Sequence, residues 1–456
     1  MTISFGGSGL GTRRHPRSSV ARSISNRVTD EKRSRRHLVA IDRTAAILGG
    51  CRFCGFPLRH TFVDLGMVPL SNSYLKPLEL NQMEPFYPLH AYVCERCFLV
   101  QLQEFVSPME LFTDYAYFSS YSDSWLQHAG TYAEMMVRRF GLGMQSFIVE
   151  VGSNDGYLLQ YFLAKGIPTL GIDPAANVAK VAMDKGIPTL AKFFAANTAR
   201  ELRAEGKQAD LIVVNNVLGH VPDLNDFVEG MKLLLGPRGV TTVEVPHLMR
   251  LMAENQFDTI YHEHFSYFSL MTLEKVFAAH NLIIFDVEEL PTHGGSLRIY
   301  ARHAEDASKP IGDRVTELRT RELAAGFARL DCYFAFTERV KETKRKILKF
   351  LITAKRDGKS IVGYGAPAKG NILLNYCGIR SDFIDYTVDR SPHKQGRFLP
   401  GTHIPIYPPD RINVTKPDYL LILPWNLTAE IMDQMAYIRQ WGGQFVVPIP
   451  EPRELP

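Results

Sequence analysis

The sequence predicts an α/β protein in which a doubly wound sheet lies between a small cysteine-rich segment and a second α/β unit. Apolar segments typical of strands alternate with helical segments from "SFIVEVGSNDG" onward. Two Cys-x-x-Cys pairs precede this alternation, and it starts again at "SIVGYGAPAKGNILLNYCGI". Strands that alternate with helices favour a parallel sheet, because each crossover helix covers one face of that sheet.

Composition and charge exclude several classes of protein. Of the 456 residues, 45% are hydrophobic, 11% aromatic and 22% charged, which is too apolar for a disordered chain. The chain has no run of about 18 uncharged apolar residues, so we expect no membrane-spanning helix. The net charge is +4, but residues 1–45 hold ten Lys and Arg against three Asp and Glu, so the remainder sums to −3. A nucleic-acid binder is therefore not expected.

The first 46 residues are predicted to form a disordered basic tail, because they are rich in Ser and Arg and nearly lack aromatic residues. A translation start placed too early, a basic contact arm and an organelle transit peptide are the alternatives. No apolar segment follows the charges, which argues against a secretory signal, so we expect a cytoplasmic protein.

Four of the six cysteines form two closely spaced pairs, Cys51 with Cys54 and Cys94 with Cys97. Each pair places two thiolates on one tight turn, and two such turns complete a tetrahedron around zinc. Because thiolates fill all four positions, we expect a structural site in a domain at 47–108, whose long internal loop holds its own strands. Coincidental pairs or one redox pair are the alternatives.

The central domain is predicted at 109–310. A helix is expected over 122–143, where apolar residues recur at helical spacing. Four strands follow, in "SFIVEVGSNDG", "TLGIDPA", "ADLIVVNNVLGHV" and "GVTTVEVP", with helices at "YLLQYFLAKG" and "VAKVAMDKG" between them. Beyond this, long charged helices at about 312–356 begin a C-terminal segment, 311–456, which ends in a second, Rossmann-like α/β unit.

The loop "EVGSNDGYLL" follows the first of these strands and opens a helix, where glycines let a ligand approach the backbone. It lacks the middle glycine of the dinucleotide fingerprint and carries Glu150 and Asp155. These acids repel a pyrophosphate and attract a cation, which favours S-adenosylmethionine. Asp173 ends the second strand, where a carboxylate suits a ribose diol. The alternative is an ordinary strand-to-helix turn capped by Asp155.

Six segments carry a resemblance to a known family: "CRFCG…CERC", "EVGSNDGYLLQYF", "NNVLGHVPDLNDF", "TIYHEHFSYFS", "HGGSLR" and "GYGAPAKGNILLNY". In this order they resemble the sugar-nucleotide C-methyltransferases of deoxysugar pathways, and the resemblance covers 47–456. It implies an N-terminal zinc domain, a class I methyltransferase domain that uses S-adenosylmethionine, and a C-terminal domain that helps hold the sugar nucleotide. It also implies a monomer that methylates dTDP-linked 4-keto-deoxyhexoses.

Carbon methylation requires a base that removes a proton beside a ketone and forms an enolate. The resemblance assigns this role to His264, the last residue of "YHEH", and gives Tyr261 and Glu263 orienting roles. Histidine titrates near neutrality and suits the task. The alternatives for this motif are a metal site, a solvated charge cluster or a purely structural role. His220, after the third strand, and Tyr115 are further candidates for the active site.

The remaining candidates fall into two groups. The predicted cofactor-binding residues are Glu150, Gly152, Asn154, Asp155, Gly156, Asp173 and Asn215. The predicted substrate-binding residues are His293, Arg298, Lys369, Asn371 and Asp389. Lys369 lies at a strand-to-helix turn, where anions collect, and is expected to face a diphosphate; a nucleotide-like fold that binds nothing is the alternative. The competing functions are an O- or N-methyltransferase on a nucleotide sugar and a non-catalytic zinc- and nucleotide-binding protein.

Overall fold

The computed structural model describes residues 49–107, 109, 118–121 and 123–455, and the described residues belong to one compact unit. The predicted basic tail and Tyr115 lie outside the described residues. Within the described part of the chain, no helix has both the length and the apolar character needed to cross a membrane.

The strands are distributed along the whole described chain. They are β1 (His60–Val68), β2 (Tyr87–Val93), β3 (Val100–Leu102), β4 (Ile148–Val151), β5 (Thr169–Ile172), β6 (Thr189–Leu190), β7 (Ala209–Asn215), β8 (Leu235–Pro246), β9 (Ser266–Tyr267), β10 (Leu282–Leu290), β11 (Ser296–His303), β12 (Ile361–Tyr364), β13 (Thr387–Val388), β14 (Ile406–Tyr407), β15 (Tyr419–Ile422), β16 (Gln444–Val447) and β17 (Arg453–Leu455).

The α-helices connect these strands and cover the sheets. They are α1 (Asp123–Phe140), α2 (Leu159–Leu163), α3 (Ala176–Asp184), α4 (Ala196–Ala204), α5 (Leu224–Leu234), α6 (Leu248–Ala253), α7 (Leu270–Ala279), α8 (Asp313–Ala324), α9 (Leu330–Arg356), α10 (Ala368–Cys377), α11 (Arg411–Thr415) and α12 (Thr428–Gln434). The helix expected over 122–143 and the charged helices expected near 312–356 are confirmed as α1, α8 and α9.

The central sheet has the strand order β10-β11-β8-β7-β4-β5-β6. Strands β4 to β8 are parallel, which confirms the doubly wound sheet. Strands β10 and β11 form a hairpin that pairs antiparallel with β8, so the complete sheet is mixed. The segment "HGGSLR" closes this hairpin, and Gly295 (φ 116°) takes a backbone conformation that glycine tolerates best.

The other two sheets lie before and after the central one in sequence. The first is antiparallel, with the order β1-β2-β3-β9, so its last strand comes from the end of the "YHEHFSY" segment. The third has the order β14-β13-β12-β15-β16-β17 and is parallel except for β17. It matches the Rossmann-like unit predicted near the C-terminus.

The first and third sheets share one hydrophobic core with the long helix α9. Phe62 of β1 stacks on Phe336 of α9 with ring centroids 4.7 Å apart, and both side chains are fully buried. Leu373 of α10 and Leu421 of β15 belong to the same core. This shared core brings the "YHEH" segment and the glycine-rich turn before α10 towards the same region of the molecule.

Candidate active site

The four paired cysteines meet in one cluster. Their sulfur atoms all lie within 4.8 Å of one another, and both Cys51–Cys97 and Cys54–Cys94 Sγ distances are 3.5 Å. Tetrahedral zinc–thiolate geometry, with bonds of about 2.3 Å, places sulfur atoms about 3.8 Å apart. The donor set and spacing therefore fit a structural zinc ion, with these four cysteines as its ligands.

The two histidines of "YHEH" point to different partners. His262 Nε2 lies 3.2 Å from the carbonyl oxygen of Pro88, whereas His264 Nδ1 lies 3.0 Å from that of Thr259. Among the described residues, the four cysteines form the one cluster with three or more groups placed to share a metal ion. The geometry gives no support to a metal site at this motif.

The glycine-rich loop after β4 is closely packed. Gly152 (φ 70°) and Gly156 (φ 78°) both have positive φ. A Cβ atom would lie 2.2 Å from the Val217 side chain at the first position and 2.3 Å from that of Ile187 at the second. Larger residues at these two positions would disturb the loop, so the chain needs glycine at both.

Asp173 is joined directly to this loop. Its Oδ2 accepts a hydrogen bond from the Asn154 backbone N–H at 2.8 Å, and its Oδ1 accepts one from Ala175 N–H at 2.9 Å. Burial raises the pKa of Asp173, while these two N–H groups oppose the rise. Each carboxylate oxygen retains a lone pair, so the side chain still offers acceptors to a ligand beside the loop.

Two predicted cofactor-binding side chains have unused hydrogen-bonding capacity. Both carboxylate oxygens of Glu150 and both amide atoms of Asn215 are buried without a hydrogen bond of good geometry from a described residue. Burial raises the pKa of Glu150 well above its ordinary value, and neighbouring Tyr157 opposes this. Buried polar groups of this kind are normally paired, so the pattern fits a polar or cationic ligand such as S-adenosylmethionine.

The acidity of the loop is partly compensated by a lysine that sequence analysis missed. Lys185 Nζ lies 2.9 Å from the carbonyl oxygen of Asp155 and 3.3 Å from its Oδ2. Asp155 therefore attracts a cation less strongly than its position in the sequence suggested. The lysine follows α3, and its pairing depends on how that helix folds back on the loop.

His264 is held in one tautomer. A carbonyl oxygen can only accept a hydrogen bond, so Nδ1 must donate to Thr259 and the neutral ring keeps its lone pair on Nε2. Nε2 has no hydrogen-bonding partner among the described residues. The ring packs against Tyr261 at a centroid distance of 4.0 Å and against His220 at 4.6 Å.

His220 has the same arrangement, since its Nδ1 lies 2.7 Å from the carbonyl oxygen of Glu263. Burial lowers the pKa of His220 to about 4. It also lowers the pKa of His264 well below its ordinary value, and His220 adds to this effect. Both imidazoles are therefore neutral near pH 7 and present Nε2 as an acceptor.

The Glu263 side chain turns away from His264. Its Oε1 accepts a hydrogen bond of 2.7 Å from the Asn72 amide, and burial raises its pKa to about 7. The structure thus separates three neighbours in sequence, because His262 faces β2, Glu263 contacts the segment after β1, and His264 packs against His220.

Lys369 extends from the start of α10 into a buried polar cluster. Its Nζ donates to Asn426 Oδ1 at 2.7 Å and lies 4.6 Å from the Trp425 ring centroid. The Trp425 indole donates to Asp258 Oδ2 at 2.8 Å, while Asp258 Oδ1 has no described partner. Burial lowers the pKa of Lys369 to about 8 and raises that of Asp258 to about 7.

Sequence analysis missed Asp258, because no motif or spacing in "FDTIYHEH" singles it out. Trp425 was missed as well, because nothing in "LPWNL" indicates that its indole contacts Asp258, 167 residues earlier.

Two predicted substrate residues already bind protein groups. Asp389 accepts backbone N–H bonds from Ala366 and Ser391, both at 2.8 Å, and pairs with Lys394 at 3.3 Å. It therefore stabilises the turn before α10. Asn371 is buried and bonded to Asn375 within α10, and its Nδ2 lies 3.5 Å from the Ser71 carbonyl.

The last two predicted substrate residues flank the hairpin turn. His293 has a positive φ (56°), and its ring lies 5.1 Å from that of Trp125. Burial lowers its pKa to about 4. Arg298 is engaged in buried ion pairs with Glu244 and with Glu288, the second at 3.0 Å. No comparison tests these seven cofactor and five substrate assignments, which stay predictions.

Comparison with known proteins finds matches over most of the chain. A family model for a zinc binding domain matches 51–112, one for a methyltransferase domain matches 131–286, and one for a C-methyltransferase C-terminal domain matches 291–450. The chain is also 38% identical over 406 residues to C-methyltransferase NovU of Streptomyces niveus, which spans 88% of this chain and 96% of that protein.

Solved structures are similar over a smaller region. The magnesium protoporphyrin IX methyltransferase of Synechocystis PCC 6803 is 13% identical, with a TM-score of 0.30, covering 39% of this chain and 78% of that one. The 1,6-didemethyltoxoflavin-N1-methyltransferase of Burkholderia thailandensis is 18% identical, with a TM-score of 0.32, covering 45% and 95%.

The family follows from the full-length relative and the three family models, which occur in the order predicted from the sequence motifs. The matched regions contain the cysteine cluster, the glycine-rich loop with Asp173, and the turn before α10. The chain belongs to the S-adenosylmethionine-dependent C-methyltransferases.

Proposed function

We propose that this C-methyltransferase methylates the α-carbon of a nucleotide-linked 4-keto-deoxyhexose, of the dTDP type, through an enolate generated by His264. The family supplies the reaction class, and the resemblance noted in the sequence supplies the substrate class. The observation that carries the proposal is the tautomer of His264, whose Nδ1 donates to Thr259 at 3.0 Å and leaves Nε2 as the acceptor.

The proposed step begins when His264 Nε2 accepts the proton beside the ketone. The electrons of that C–H bond pass into the enolate, and the enolate carbon then forms a bond to the methyl group. S-adenosylmethionine supplies this methyl as an electrophile, and its sulfur leaves as a neutral thioether. Because the donor needs little activation, the main tasks of the protein are to position the two carbons and to move the proton.

The environment of His264 suits a base that is used once per turnover. Burial keeps the ring neutral, so it is ready to accept a proton at pH 7. The imidazolium that forms is paired with the enolate, which compensates for its charge within the buried site. The carbonyl of Thr259 holds the ring orientation in both states, since Nδ1 remains a donor after protonation.

The two neighbours of His264 have different roles in this proposal. His220 donates through Nδ1 to Glu263, so its neutral ring can accept a hydrogen bond at Nε2 but cannot donate one to an enolate oxygen. We assign His220 to a substrate hydroxyl. The Tyr261 phenol, whose ring lies 4.0 Å from His264, is the better candidate to stabilise the enolate oxygen.

We assign the binding of the nucleotide part of the substrate to the C-terminal domain. Lys369 is a half-buried cation at a helix N-terminus, and the contacts with Asn426 and Trp425 hold it in place. A diphosphate would suit this position because it adds two negative charges near the lysine. Asp389 would act indirectly, through the turn that it stabilises.

The test is proton exchange in deuterated water with a panel of keto-sugar nucleotides and no methyl donor. His264→Asn should retain S-adenosylmethionine binding but lose methyl transfer by about 10²- to 10⁴-fold, and lose exchange at the α-carbon as well. His303→Asn is a matched control, since His303 also contacts a backbone carbonyl, that of Leu235 at 3.2 Å, outside this site.

The same experiment separates the competing functions. An O- or N-methyltransferase would transfer a methyl group without exchanging the α-proton, because neither reaction needs an enolate. A wild-type exchange rate in His264→Asn would show that another group is the base. His220 would then be the first candidate, since its ring lies 4.6 Å from that of His264 and burial keeps it neutral.

A further inference from the structure

Arg52 lies between two zinc ligands but its side chain contacts the methyltransferase domain. It occupies the first variable position of Cys51-Arg52-Phe53-Cys54. Its Nη1 donates to the carbonyl oxygen of Pro222 at 2.7 Å, and its Nη2 donates to that of Leu102 at 2.6 Å.

These contacts fall beside both active-site histidines. Pro222 follows His220 by two residues, and the guanidinium carbon of Arg52 lies 5.2 Å from the ring centroid of Phe265, the residue after His264. Leu102 N–H also donates to the Phe265 carbonyl at 3.0 Å. One planar guanidinium therefore joins the segments that carry His220 and His264 to the end of β3.

The backbone of Arg52 is held in place by contacts of the cysteine turn. Arg52 N–H donates to Gln101 Oε1 at 2.9 Å, and Gln101 Nε2 donates to Cys51 Sγ at 3.1 Å. Asn225, on α5, donates to the Phe53 carbonyl at 2.9 Å. A metal ion held by Cys51 and Cys54 would fix the turn from which the guanidinium extends.

We propose that Arg52 is a positioning residue through which the zinc-binding turn sets the spacing between His220 and His264. The guanidinium donates N–H groups to two carbonyl oxygens in fixed directions, and its planar face packs over an aromatic ring. Arginine is the side chain that combines these two kinds of contact. The expected effect of Arg52 on turnover rests on the proposed function, in which His264 is the base. The expected effect of Arg52 on the placement of the two histidines does not.

The second cysteine turn provides a matched control. Arg96 lies between Cys94 and Cys97, as Arg52 lies between Cys51 and Cys54, but it is exposed. Arg52→Met keeps most of the side-chain length and removes the fork, and Arg96→Met makes the same change at the exposed position. Arg52→Lys keeps the charge and can reach one carbonyl, so it should restore part of the function.

The experiment compares these variants in the full-length, zinc-loaded protein by zinc content, S-adenosylmethionine affinity, NMR of ¹³C-labelled histidine rings, and turnover. Arg52→Met should retain zinc and cofactor affinity, shift the His220 and His264 resonances, and lower kcat by about 10- to 100-fold with little change in KM. Arg96→Met should match the wild type, and Arg52→Lys should be intermediate.

Two results would overturn the inference. One is an Arg52→Met protein with wild-type histidine resonances. The other is loss of zinc by both Arg52 variants, because the arginine would then merely hold the cysteine turn. Shifted resonances with unchanged turnover would support the positioning role and reject His264 as the base, so the two proposals fail separately.

Discussion

Asn72 donates its side-chain amide to Glu263 across 2.7 Å, which joins the segment after β1 to the "YHEH" motif. The Tyr74 hydroxyl, two residues later, donates to the Ala366 carbonyl at 2.6 Å. One short segment of the zinc-binding region thus contacts both the candidate base motif and the turn that leads to Lys369. The candidate active site is assembled from three parts of the sequence, and none of them contains all of its residues.

The buried Glu263 predicts a pH-dependent cost to stability. Its folded pKa is about 7, above the value of about 4.3 expected in the unfolded chain. Between these values the folded state holds the proton and the unfolded state releases it, so stability falls as pH rises through this range. Relative to wild type, Glu263→Gln should gain up to about 4 kcal/mol at pH 8 and little at pH 4.

Urea unfolding at both pH values measures this difference, because other groups that titrate cancel between variant and wild type. Glu205→Gln, at an exposed position, is the control and should change stability by a similar small amount at either pH. An equal effect of Glu263→Gln at pH 4 and pH 8 would mean that folding does not raise the pKa of this carboxyl.

The cysteine cluster predicts one tightly bound zinc ion per chain. Cys54→Ser should lose the metal and lower the free energy of unfolding substantially, because zinc binding is coupled to folding. Cys332→Ser is the control, since Cys332 lies on α9 outside the cluster. Elemental analysis with thermal unfolding measures both effects, and a folded wild-type protein without metal would contradict the assignment.

Asp173 is predicted to bind the cofactor and to hold the loop that surrounds it. Asp173→Ala should weaken S-adenosylmethionine binding by about 1–3 kcal/mol. Asp173→Asn keeps one oxygen acceptor for a backbone N–H and should lose less. Calorimetry measures the affinities, with Asp184→Ala, an exposed residue paired with Lys180, as control; unchanged affinity in Asp173→Ala would place the ribose elsewhere.

Local sequence patterns predicted most of the fold. The strands β4, β5, β7 and β8 and the helix α1 follow from apolar periodicity and from glycines at turns, which act over a few residues. The pairing of β9 with β3 was not predictable, because a two-residue strand has no periodicity and its partner lies more than 160 residues earlier. The glycines of "HGGSLR" are compatible with a close approach of the backbone to a ligand as well as with a hairpin, so they did not by themselves predict the pairing of β10 with β11.

The candidate site was predictable where chemistry is concentrated in a motif. The four cysteines follow from their spacing, and Asp173, His220 and His264 were singled out by position and resemblance, but the contacts that these three residues make were not predicted. Long-range partners were not predictable. Nothing in the sequence indicates that Arg298 faces Glu244, that Lys185 compensates Asp155, or that Asp258 and Trp425 surround Lys369, because these pairs form only when distant elements pack.

Because the histidines are neutral, we predict that activity persists to a lower pH than is usual for a histidine base. The pH profile of kcat/KM reports groups of the free enzyme, and burial lowers the pKa of His264 well below its ordinary value. A base must be neutral to accept a proton, so activity should not fall as pH drops through about 6.5, the usual imidazole pKa. Loss should begin only at a pH well below that value, where the buried ring finally takes up a proton.

Glu263 is the other group of the motif that titrates in this range, with a pKa of about 7. The profile is therefore measured in wild type and in Glu263→Gln, which removes that ionisation while leaving His264 unchanged. A limb near pH 7 that disappears in the variant would belong to Glu263. A limb near 6.5 in both proteins would contradict the prediction, because it would mean that the base titrates as a hydrated imidazole and that the buried, Thr259-bound ring is not the group that accepts the proton.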